Sequence, residues 1–196
     1  MSISNNSNNI KQNEIDFNNF KFENMKNVKT INNIAGVICC LKILDDGRLA
    51  AGDSFSNLVI YNKDTFTPDV IIKNNLGVLC NFIQLKNKNL ACSFFAGFSL
   101  KIIKNFNDEN ENQIIKYAHN MAITKILELK NENLITFSWD CSFKIWKYNN
   151  NNFERYENIS VFKDTKELND GLEIKDNEII LYALNSNLKT KIISIL

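Results

Sequence analysis

From about residue 28 onward the apolar residues fall into short runs separated by polar turns, and the same order of runs recurs along the chain. VICCLKILDDGRLAAGDSFSNLVIYN occupies 37–62, VLCNFIQLKNKNLACSFFAGFSLKIIK occupies 78–104 and ITKILELKNENLITFSWDCSFKIWK occupies 123–147. Each reads as an apolar strand, a polar turn, a second strand opening on leucine, a short turn and a third strand. The polar turns are Asp45-Asp46-Gly47, Lys86-Asn87-Lys88 and Lys130-Asn131-Glu132-Asn133. Leu49, Leu90 and Leu134 stand about 41 and 44 residues apart, a period typical of four-stranded repeat units. Asp69–Lys73, Gln113–Tyr117 and Phe153–Ile159, between the runs, are each long enough for a fourth, outer strand.

The strands are rich in isoleucine, leucine, phenylalanine and valine with little strict alternation, as expected where neighbouring sheets cover both faces. No helical period persists after residue 28, and the single proline, Pro68, is expected in a connection. A worn fourth unit occupies 170–196, with Ile179 at the leucine position, a turn at Asn185-Ser186-Asn187 and one further strand, Leu188–Leu196. The pattern predicts an all-β array of about four four-stranded antiparallel units, at approximately 37–73, 78–117, 123–159 and 170–196. Residues 1–27 are rich in asparagine, lysine and glutamate, with scattered phenylalanines and no period, and read as a disordered leader or a short docking segment.

Composition removes several classes of function. With 23 basic against 22 acidic side chains the net charge is +1, and only Arg48 and Arg155 are arginines, so neither nucleic acid nor an anionic membrane is an expected partner. No apolar run reaches bilayer length and the first residues lack the apolar core of a signal peptide, which points to the cytoplasm. The five cysteines lack C-x-x-C spacing and read as reduced core residues. No glycine-rich phosphate loop and no nucleophile elbow occurs, so no cofactor is expected. His119 is the only histidine; with Asp140 and Cys141 as its nearest candidates, the ligand set of a zinc site is incomplete.

The stretch Tyr117–Tyr148 holds His119, Thr136, Asp140, Ser142 and Trp146 at spacings that resemble a WD repeat, the blade unit of a large β-propeller family. The resemblance implies a buried network of His119, Thr136, Asp140 and Trp146 that locks the blade. It covers about 28–196, but its diagnostic residues occur once. Ala118 stands where glycine usually precedes the histidine, and Lys147 where aspartate usually follows the tryptophan. The first unit has Ile34, Ala51, Phe55 and Tyr61 at the network positions, and the second has Asn75, Gly97 and Ile103. Four units are fewer than the family's rings contain. The array is therefore expected as an open arc, a fragment or half of a ring closed by another chain, unless Val28–Ile31 completes the fourth unit and closes a four-bladed ring.

The resemblance also places Trp139 in the turn on the face where partners of such propellers dock, with Phe55, Phe94 and Phe95 in the matching turns of the first two units. The expected function is a non-catalytic scaffold presenting these aromatics to a protein or peptide. The alternative for these rings is packing against the next blade. Two other functions stay open: a blade set that completes another propeller chain, by self-association or with a different partner, and an enzyme pairing His119 with Cys39 or Cys141.

Overall fold

The computed structural model describes residues 30–31, 36–104, 106, 111–149, 155–163, 167–175, 178–183 and 191–194. The described residues from Ile31 onward form one compact unit built of strands. The first sheet is β1 (Ile38–Ile43), β2 (Leu49–Asp53), β3 (Asn57–Tyr61) and β4 (Pro68–Lys73), in that spatial order. The second is β5 (Leu79–Gln84), β6 (Leu90–Phe94), β7 (Ser99–Ile103) and β8 (Gln113–Ile115). The third is β9 (Ile123–Glu128), β10 (Leu134–Ser138), β11 (Ser142–Asn149) and β12 (Arg155–Lys163). The fourth, three-stranded among the described residues, is β13 (Leu168–Lys175), β14 (Glu178–Ala183) and β15 (Lys191–Ser194). Among the described residues every pairing is antiparallel between strands adjacent in the chain, and the array is open, not closed.

Some boundaries differ from the sequence reading. Pro68 opens β4 instead of lying in a connection; it sits at a bulge on the outermost strand, where a missing N–H breaks no ladder bond on the free side. The outer strand of the third sheet extends to Lys163, and the fourth sheet begins at Leu168. The leader 1–27, Val28, Ile34, Phe153, the turn Asn185–Asn187 and the ends of Leu188–Leu196 lie outside the described residues.

The polar turns fold alike because each carries an Asx residue second. Asp46, Asn87 and Asn131 accept the N–H of Arg48, Asn89 and Asn133 at 3.0–3.1 Å. The intervening residue takes a left-handed conformation: Gly47 at φ 84°, Lys88 at 70° and Glu132 at 67°. Glycine fits that conformation freely, whereas the lysine and the glutamate are held there by the turn's own hydrogen bonds.

Apolar clusters lie between successive sheets. Leu58, Ile60 and Ile72 of the first sheet meet Leu79, Phe82 and Phe94 of the second; Leu100 and Ile102 meet Ile126, Leu134 and Trp146 of the third; Ile135, Phe137 and Ile145 meet Leu168 and Ile179 of the fourth. Each fully buried side chain of this size contributes roughly 1.5–3 kcal/mol, so packing between sheets dominates the stability. Gly171 is required by this packing: a Cβ there would sit 2.3 Å from the ring of Phe137.

A polar clasp recurs at the turn end of each junction. The N–H of Asp45 donates to Gln84 Oε1 at 2.7 Å, that of Lys86 to Glu128 Oε2 at 2.9 Å, and that of Lys130 to Glu173 Oε2 at 3.0 Å. Each acceptor comes from the innermost strand of the following sheet, so the clasp fixes the spacing of neighbours.

Candidate functional site

The loop before β9 and the hairpin from β10 to β11 bring His119, Thr136, Asp140 and Trp146 into one hydrogen-bonded chain. His119 Nδ1 lies 3.0 Å from Asp140 Oδ2, His119 Nε2 lies 2.7 Å from Thr136 Oγ1, and Trp146 Nε1–H donates to Thr136 Oγ1 at 2.8 Å. A single proton arrangement satisfies all of them: the indole donates to the hydroxyl, the hydroxyl donates to Nε2, and Nδ1–H donates to the carboxylate. Asp140 also accepts from Ser142 Oγ–H at 2.5 Å and from the N–H groups of Asn120 and Ser142.

The charges follow from the enclosure. Burial lowers the His119 pKa, against the pull of Asp140, so the imidazole is neutral at pH 7. Burial works to raise Asp140, but the hydrogen bonds from Ser142, Asn120 and His119 outweigh it and hold the carboxyl below its ordinary value. Thr136, His119 and Trp146 are buried, and both ring nitrogens of His119 are engaged inside the sheet. The sulfurs proposed as its nucleophilic partners point to backbone: Cys39 Sγ–H to Val37 O and Cys141 Sγ–H to Trp139 O. Among the described residues no group of three or more His, Cys, Asp or Glu side chains is placed to hold a metal.

The second sheet carries a different polar lock, invisible to the repeat pattern. Buried Lys101 of β7 donates through Nζ to Asn74 Oδ1 at 2.9 Å, and Asn74 Nδ2–H donates to Ser56 O at 2.9 Å, tying the second sheet to the first. The first sheet has Tyr61 at the tryptophan position, and its enclosed hydroxyl finds no partner among the described residues.

The aromatic turn residues divide. Phe55 is 66% exposed, Phe95 50% and Trp139 39%, and all three sit in the turn between the second and third strands of their sheets. Phe94 does not join them. It is the last residue of β6, a strand buried along its whole length between neighbouring sheets, and is fully buried with Leu79 and Phe82 one residue before the turn begins. Each exposed ring is also anchored on one side. Phe55 rests on the backbone of Gly36, Phe95 meets Phe98 edge-on at 6.0 Å, and Trp139 Nε1–H donates to Asn169 Oδ1 at 3.1 Å.

This end of the array is more apolar than the repeat pattern indicated. The residues leading into the innermost strands reach the same end, and they add exposed Val37, Tyr117 and Met121. The opposite end carries the Asp45–Gly47, Lys86–Lys88 and Lys130–Glu132 turns, all charged or polar and exposed. Met121 lies between the repeat units, whereas Val37 and Tyr117 fall in stretches read as strand that the structure starts at Ile38 and ends at Ile115.

Comparison of the sequence with known protein families and with curated proteins finds no match. Solved structures do resemble it. The computationally designed Ika4 protein matches with a TM-score of 0.67 at 14% identity, over 87% of this chain and 99% of that one. The fold is β-propeller-like. A chain of the mitotic checkpoint complex matches with a TM-score of 0.64 at 11% identity, over 78% of this chain and 46% of that one, so the propeller-like array spans less than half of that chain's length. At these identities the likeness concerns the fold alone. Among the described residues no helix is long and apolar enough to cross a membrane.

Proposed function

We propose that the array is a non-catalytic, cytoplasmic protein-interaction platform of WD-repeat type, which docks a protein or peptide on the end carrying Phe55, Phe95 and Trp139. The observation that carries this reading is the polarity between the two ends: one presents Val37, Phe55, Phe95, Tyr117, Met121 and Trp139 in the open, the other mainly charged and amide turns, with Phe66 as its exposed ring. Exposed aromatics on rigid turns lose little entropy on binding and act as interface anchors. The polar lock of the third sheet serves this display, since Asp140 adjoins Trp139 in the same turn and holds it through Ser142, Asn120 and His119.

Selection of peptides from a display library on the immobilised chain tests it. Trp139→Ala, and Phe55→Ala with Phe95→Ala, should abolish binding of the selected peptides. The melting temperature should fall by no more than about 4 °C, because Trp139 contributes one half-exposed hydrogen bond. Peptides that bind these variants unchanged, yet lose binding when Lys86 and Lys130 are replaced, would place the docking surface at the other end and sink the reading.

A further inference from the structure

The first three sheets end alike at their outer edge. Asn57, the first residue of β3, pairs with Lys73, the last of β4, and Ser142, the first of β11, pairs with Lys163, the last of β12. In the second sheet Leu100 pairs with Ile115, which places Lys116 opposite Ser99, the first residue of β7. One lysine thus closes the outer strand of each sheet, at the end that carries the aromatic turns. Lys73 lies across from the residue two after Phe55, and Lys163 across from the residue three after Trp139. Lys116 precedes exposed Tyr117, whose N–H donates to Gly97 O two residues after Phe95.

All three lysines are exposed, and among the described residues none forms an ion pair. The other charges of this end largely cancel. Lys125 meets Asp170 at 3.3 Å. Asp53 and Asp140 use their carboxylates on N–H groups of their own turns, while Lys101 and Lys144 donate to Asn74 Oδ1 and Ala118 O, so the enclosed groups are two of each sign. That leaves Glu167, just before β13, as the exposed acid without an ion pair among the described residues. Asp164 and Lys166, outside the described residues, offset each other in number. A chain balanced overall therefore presents a positive rim beside its aromatic turns. At the opposite end bases stand beside acids, Lys88 with Asp45 and Arg48 with Asp46.

We propose that the partner docked on this end is an acidic peptide segment, whose apolar side chains meet Phe55, Phe95 and Trp139 and whose aspartate or glutamate side chains meet Lys73, Lys116 and Lys163. The inference rests on the platform reading above and adds the chemistry of the partner. Apolar anchors with a charged rim are the usual anatomy of a protein interface. The sign of the rim disfavours basic partners, because like charges brought together across an interface repel. Its layout suits carboxylates better than phosphate. The lysines are point charges placed one to a sheet, and both arginines lie towards the other end, Arg48 beside Asp46 and Arg155 at the far end of β12, so no guanidinium fork is present to take a dianion.

Peptides selected from a display library on the full chain test this, with binding read by fluorescence anisotropy. Those lost on Trp139→Ala should carry about three acidic residues for each basic one, and should weaken about threefold or more between about 50 and 300 mM sodium chloride. Both results are read on the wild type and do not depend on the folding of a variant. Lys73→Glu, Lys116→Glu and Lys163→Glu combined should weaken these peptides at least about tenfold with unchanged circular dichroism. Lys63→Glu, Lys88→Glu and Lys175→Glu, the same change of charge at the other end, should shift binding by less than about threefold. Trp139-dependent peptides that are neutral or basic, that ignore salt, or that bind the first triple variant unchanged would overturn this inference and leave the platform reading standing. A library that yields no Trp139-dependent peptide would overturn both. Displacement of the peptides by a single-stranded oligonucleotide of about 20 nucleotides, a phosphoserine peptide binding more than about tenfold tighter than its glutamate counterpart, or self-association lost on Trp139→Ala would each seat a different occupant on this end and overturn the inference.

Discussion

Replacing Thr136 by valine keeps the shape of the side chain and removes the hydroxyl shared by His119 and Trp146. The variant strands two polar groups in a site no more than 4% exposed: Nε2 of His119 loses its donor and Nε1–H of Trp146 its acceptor. Each stranded buried group costs about 1–3 kcal/mol, so Thr136→Val should lose about 2–6 kcal/mol. In a chain of this length that is a fall of about 5–20 °C in melting temperature. Trp146→Phe removes the donor together with its need for an acceptor, so in the double variant only the imidazole is stranded. The double-mutant cycle should then show a coupling of about 1–3 kcal/mol between the two positions. Urea denaturation should be followed together with hydrogen exchange of the β10 and β11 amides, because neighbours in a stacked array need not unfold together. A Thr136→Val loss below about 0.5 kcal/mol, or an additive cycle, refutes the assignment of this hydroxyl as the centre of the network.

The other predictions concern titration, thiols and close packing. Burial holds His119, the only histidine, below its ordinary 6.5, so the native state binds fewer protons than the unfolded chain and stability is lost as pH falls through about 6.5. Asp140, held low, acts in the same sense below 3.8, while Glu128, raised above 4.5 by burial, acts in the opposite one. Between about pH 7.5 and 5.5 the melting temperature should fall, and His119→Gln should flatten that slope; an unaltered slope counts against the buried neutral imidazole. Native-state labelling with a maleimide should modify exposed Cys39 first and Cys40 slowly, its thiol being pushed up to about 12 by burial. Cys92, fully buried between the first two sheets, should label only on unfolding, and rapid native labelling there would contradict the closed junction. Gly171→Ala puts a Cβ 2.3 Å from the Phe137 ring and should cost about 1–3 kcal/mol, partly restored by Phe137→Leu, as read by urea denaturation.

The repeat was legible because two signals agree. Leucine opens the second strand of each of the first three sheets at a steady period, and an Asx residue in the turn before it sets that turn's geometry. The residues that form the network of the third sheet could be named from their types and spacing. Position along a strand was harder to read, as Phe94 shows: a shift of one residue separates a core ring from an exposed one, and two adjacent phenylalanines carry no mark of which is which. Lys101 with Asn74 was out of reach for another reason, since lysine and asparagine are the commonplace surface residues of this chain and only the tertiary contact makes them a lock. The connections that bring Tyr117 and Met121 to the aromatic end have no repeating pattern to align.

The clasp between sheets joins a main-chain N–H on one side to a single side chain on the other. Whatever residue occupies the donor position, short of proline, the N–H is present, so a turn can drift from Asp45 to Lys86 to Lys130 without loosening its junction. Beyond the apolar packing, the clasp itself asks of the sequence only one glutamine or glutamate near the end of each innermost strand. The spacing of the sheets at the turn end is thus written into the main chain, and the turn residues are free to vary around it.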